Sequence, residues 1–144
     1  MSFLGQMPVS TVRPYRGPKD TLEKMAEHAL GRYGERSMIV RRFTEWVVGQ
    51  VWPKDYISEI VSIRNCLVQR SPKYPHMPMI RYLNDPRHLE FLRTPERMVR
   101  DIMDHGFTTV DCDEVTCLAV TMGLTIGREG RFVAMGFAPR SLSH

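Results

Sequence analysis

The junction at Asp111-Cys112-Asp113-Glu114 constrains this chain more than any other segment. A polar loop turns there into the apolar run Val-Thr-Cys-Leu-Ala-Val-Thr-Met-Gly-Leu-Thr-Ile-Gly. Val115, Ala119, Met122 and Ile126 recur at helical spacing, which predicts a helix over about 112–126 with one buried face. A helix N-terminus carries partial positive charge and unpaired N–H groups. Both favour the thiolate of Cys112, the nucleophilic form. The first-turn carboxylates of Asp113 and Glu114 suit the helix dipole but raise the thiol pKa. The sequence leaves open which effect wins. Asp111 is placed to cap the helix.

The chain of 144 residues is long enough for one domain with a real core. Its apolar share of 42% and charged share of 25% fit a globular protein. No apolar run approaches the ~20 residues that span a membrane. The first ten residues lack the charged start and long apolar region of a secretory leader. The net charge of +4 comes without a Lys/Arg block, so no dedicated nucleic-acid site is expected. Cys66, Cys112 and Cys117 form an odd set without framework spacing, which argues against disulfides and for a reducing compartment. No CxxC or HxxxH pair is present, so neither a metal nor a cofactor is expected.

Residues 1–19 hold Pro8, Pro14 and Pro18 with no apolar period, and read as an irregular arm laid on a neighbour or on the domain surface. Residues 20–144 read as the folded domain. Asp20 and Glu23 have the form of a capping box, opening a helix that stops near Gly31. Ile39, Phe43, Trp46 and Val47 predict a second helix with Trp46 in the core. Ile57, Ile60, Val61, Ile63 and Leu67 predict a third, with Cys66 as an inert buried thiol. Residues 71–78 contain three prolines and cannot be regular. Residues 79–83 read as a short strand and Asn84-Asp85-Pro86 as a turn. Thr94 and Pro95 start a helix that ends at Gly106. The segment from Arg131 to Phe137 reads as a strand.

A cysteine nucleophile needs a base within hydrogen-bond reach. His28 reads as a surface residue, and His76 and His88 lie in turns. His105 ends the helix before the cysteine loop. His144 follows the last strand, which would pass over the N-terminus of the cysteine helix, and is the geometric candidate. Cys117 points about 140° away from Cys112 on a helix and reads as core.

The order of Asp-Cys-Asp-Glu helix, Arg131-to-Phe137 strand and a loop ending Ser143-His144 resembles the transglutaminase-like superfamily of the papain-like cysteine fold. The upstream segments Ile80 to Pro86 and Glu90 to Met98 are similar to those of transglutaminase-like proteins encoded by tailed bacteriophages and prophages. The resemblance covers about residues 20–144. It implies an α+β fold in which the nucleophile helix packs on a small antiparallel sheet. It implies Cys112 as nucleophile and His144 as base, acting in acyl transfer on a protein substrate. The family's third residue, an aspartate on the next strand, has no match. Val110 stands where many relatives have glycine. The closing strands are also missing, so an unpaired sheet edge and a place in a larger assembly are expected. The alternative is a non-catalytic virion component of the same fold, with other virion proteins as partners. A generic binding module is a third reading. The expected location is the virion or the host cytoplasm.

Overall fold

The computed structural model describes residues 10–86 and 89–135. It is an α+β arrangement of β1 (Ser10–Pro14), α1 (Pro18–Leu30), α2 (Met38–Val48), α3 (Tyr56–Val68), β2 (Ile80–Tyr82), β3 (Leu89–Arg93), α4 (Pro95–His105), β4 (Thr108–Val110) and α5 (Cys112–Thr125). A helix apolar on most sides must be buried on most sides. Accordingly α5 packs against α1, α2, α3 and α4, and touches β3 and β4. Two cores flank it. Leu118 and Met122 join Val40, Phe43, Ile63, Met98 and Val99 on one side. Cys117 joins Met25, Ala29 and Leu92 on the other.

The strands form two separate pairs. β1 runs antiparallel to β3, with Val12 opposite Phe91. β2 runs parallel to β4, with Arg81 opposite Thr109. The sheet beside α5 is therefore not the single antiparallel sheet expected, although helices and strands coexist as expected. The parallel pairing is made possible by β3 and α4, which form the crossover between β2 and β4.

Several local signals hold. Thr94 caps α4 by accepting from the Arg97 N–H, with Pro95 in the first turn. Gly106 ends α4 at φ +83°, where a Cβ would lie 2.6 Å from the Lys73 Cβ, so only glycine fits. Cys66 and Cys117 are buried.

Other expectations are corrected. Residues 10–14 of the arm are a strand, paired along its length with β3, and Arg13 ties it to its neighbours; residues 1–9 lie outside the described residues. The Arg13 guanidinium sits 3.0 Å from the Asp20 carboxylate on α1 and 3.2 Å from that of Glu90 on β3. Glu90 is buried and also accepts from the Thr21 hydroxyl. Asp20 is thus engaged by Arg13 rather than capping α1. The helix starts earlier, at Pro18, with Gly17 before it at φ +106°.

In α2 the buried face is Val40, Phe43 and Thr44, and Trp46 is 65% exposed. The face is turned from the apolar spacing because Thr44 satisfies its hydroxyl within the helix, on the Val40 carbonyl at 2.8 Å. In α3 only Ile63 and Cys66 are buried, whereas Ile57, Ile60 and Val61 are exposed. Residues 131–135 form no strand. Phe132 instead packs against the Met25–Leu92–Cys117 cluster. Residues 136 and 137, the remainder of that expected strand, lie outside the described residues. Among the described residues no helix is long and apolar enough to cross a membrane.

Removing Arg13 leaves two carboxylates, one of them buried, without their cation, and such losses cost about 3 kcal/mol. Arg13→Met is therefore expected to lower the unfolding free energy by about that much in urea titrations. A loss below about 0.5 kcal/mol would show that β1 is held by its ladder alone.

Candidate active site

The parallel pairing of β2 with β4 brings their carboxyl ends side by side. The Leu83 N–H donates to the Val110 carbonyl at 2.8 Å, directly after both strands. The chain leaving β2 carries Asp85 and the chain leaving β4 carries Asp111 and Cys112. That convergence builds the site.

Asp111 is the N-cap of α5 and its carboxylate accepts from the Glu114 N–H at 2.9 Å. Cys112 follows as the first helical residue. Glu114 is 1% exposed. It is held by Arg93, whose backbone N–H, Nε and Nη2 donate to its two carboxylate oxygens at 3.0, 2.9 and 3.3 Å. Burial pushes the Glu114 carboxyl up, and the Arg93 charge and hydrogen bonds offset only part of that rise.

Asp85, Asp111 and Glu114 place carboxylate oxygens within 4.8 Å of one another. The expectation of no metal did not foresee this cluster. Part of its charge is met from within the protein. Arg93 neutralises Glu114. Asp111 has a carboxyl pushed up to about 8, by burial and by its hydrogen bond and charge contact with Asp85. Asp85 also accepts from the Phe91 N–H at 2.9 Å.

Cys112 is the half-exposed cysteine, and Cys66 and Cys117 are buried. It lines a cavity of about 250 Å³ whose walls include Tyr15, Leu22, Met25, Phe132 and Met135. Its Sγ lies 3.7 Å from the Asp113 carboxylate. The net shift of the Cys112 thiol is upward. Burial first, then the charges of Asp113 and Asp111, push the Cys112 thiol up to about 11. Burial alone pushes Cys66 to about 11, and burial of Cys117 pushes it to about 12.

His144, the expected base, lies outside the described residues, as does His88. His28 is not a free surface residue. It is half-buried, its Nε2 lies 3.1 Å from the Thr11 hydroxyl, and burial lowers its pKa. His105 ends α4 and is exposed, and His76 is an exposed turn residue. Among the described residues no histidine nitrogen is hydrogen-bonded to Cys112.

Asp85 and Arg93 are site residues that the sequence pattern missed. Asp85 carries only a turn signal, and no strand was expected where β3 places Arg93.

The Asp111 proton makes stability pH-dependent. The unfolded chain releases that proton near pH 4, and the folded protein keeps it to about 8. The folded state therefore binds more protons across this window, and stability falls as pH rises through it. Asp111→Asn keeps a capping oxygen and removes the titration. It is expected to flatten the fall by on the order of 1 kcal/mol per pH unit, measured by urea unfolding at about pH 5, 6 and 7. Equal slopes in the two proteins would contradict the raised Asp111 pKa.

No family model matches the chain, and no curated protein or solved structure was found to match it.

Proposed function

We propose that the chain is a transglutaminase-like, cysteine-dependent acyl-transfer protein of a tailed bacteriophage, with Cys112 as nucleophile and His144 as base. The observation that supports this reading is the placement of Cys112. It is the half-exposed cysteine, it opens the helix at the centre of the core, and it faces a cavity. The papain-like character of the core belongs to the same proposal. In that reaction the base takes the thiol proton and the sulfur attacks an amide carbonyl. The carbon–nitrogen bond breaks, the amine leaves with the proton, and a thioester remains. Water or a lysine amine then takes the acyl group and returns the thiol. The Cys112 N–H at the helix N-terminus is the proposed oxyanion donor.

A thiol with a pKa of about 11 is almost wholly protonated at neutral pH. The first reading thus requires a base to act on Cys112. The same fact favours a second reading, a virion component that has this fold without the chemistry.

One experiment separates the two. The protein is incubated with a glutamine-containing peptide and a primary amine, and intact mass and amine incorporation are followed. The acyl-transfer reading predicts a thioester adduct and amine incorporation, both lost in Cys112→Ala. Absence of both from a folded protein would favour the structural component.

Reactivity gives a further check. Brief iodoacetamide labelling is expected to mark Cys112 before Cys66 and Cys117, because burial denies the reagent access to the other two. Asp113→Asn removes a negative charge beside the thiol and should lower its pKa. Labelling at neutral pH is then expected to accelerate by up to about tenfold, one pKa unit being a tenfold change in thiolate. Preferential labelling of Cys117 would remove the case for Cys112.

A further inference from the structure

A second cavity, sharing no residue with that of Cys112, lies between α2 and α4 and has a volume of about 440 Å³. Its floor is made by buried Phe43, Met79 and Ile102. Its rim carries Trp46 and Met103, each 65% exposed. A large aromatic and a thioether in water at the mouth of an apolar cleft are costly unless something covers them. Arg42 is the one charged residue in the lining. Among the described residues no carboxylate pairs with it, whereas its neighbour Arg41 is taken by Glu45 at 3.0 Å. The volume is that of a small-molecule site, apolar with few polar groups.

We infer that this cleft binds a small apolar carboxylate, its hydrocarbon or aromatic body against Phe43, Trp46 and Met103 and its carboxylate on Arg42. The charge balance selects the class. One guanidinium offers a planar fork that matches one carboxylate, with no second cation in the lining for a dianionic phosphate. The apolar floor selects the body, since a sugar or a zwitterion would leave polar groups unpaired there. Trp46 is prominent for this reason: its indole forms the wall of the cleft beside Phe43, with ring centroids 6.1 Å apart.

The chain has two tryptophans, so their indole N–H signals in a proton–nitrogen NMR spectrum report separately on Trp46 and Trp52. The probes are 4-phenylbutyrate and its neutral counterpart 4-phenylbutanol. The expected result is a saturable shift of the Trp46 signal, with Trp52 unmoved and the carboxylate binding about two- to fivefold more tightly, as for an exposed ion pair. Arg42→Gln should abolish that preference while leaving the alcohol's affinity unchanged. Met103→Glu, at an exposed position, should weaken the carboxylate by more than the alcohol, because it adds a negative charge at the rim. No saturable Trp46 shift would overturn the site. Equal binding of acid and alcohol, or a preference that survives in Arg42→Gln, would overturn the carboxylate class.

Discussion

The buried carboxylate of Glu114 organises the end of the molecule where Cys112 stands. A carboxylate at 1% exposure is tolerable only when its charge and lone pairs are met. Arg93 meets them with its backbone N–H and its guanidinium together. The same guanidinium reaches the Thr109 hydroxyl at 3.3 Å and lies 3.9 Å from Asp101. One arginine at the end of β3 therefore joins α4, β4 and the first turn of α5. The rotation of that turn decides where Asp111 and Cys112 point. The pair is a positioning device first, and its charge is almost internally balanced.

That balance shapes the chemistry open to Cys112. The helix N-terminus favours a thiolate, but partial burial first, and then the charge of Asp113, push the thiol up. A reactive thiol here depends on a proton acceptor brought to it, not on a standing thiolate. The site is thus a sheltered thiol next to an apolar cavity, with the raised carboxyl of Asp111 behind it.

Much of this was legible from residue order. Thr94, Pro95 and Gly106 carry their own start and stop physics, and α4 has the bounds they set. The loop-to-helix junction at Asp111 and Cys112 was equally plain, because cap and apolar run agree. What escaped depends on partners far along the chain. Pro14 and Pro18 hid a strand that pairs with β3 and whose Arg13 finds Glu90. Trp46 looked like core because apolar spacing does not reveal that Thr44 can bury its hydroxyl against its own helix. Asp85 looked like a turn residue, and only the parallel register of β2 and β4 carries it to Asp111. Periodicity reports a face, and it does not report which distant charge will meet it.

The dependence of the α5 N-terminus on Arg93 and Glu114 is tested most directly by a double-mutant cycle on Arg93→Met and Glu114→Gln, read by urea unfolding. Interacting buried charges give coupling energies of about 1–3 kcal/mol. The account predicts that Arg93→Met alone is costly, that Glu114→Gln relieves much of that cost, and that the coupling lies in this range. Additive losses, with a coupling below about 0.5 kcal/mol, would show that the helix N-terminus is fixed without the pair and would contradict the account.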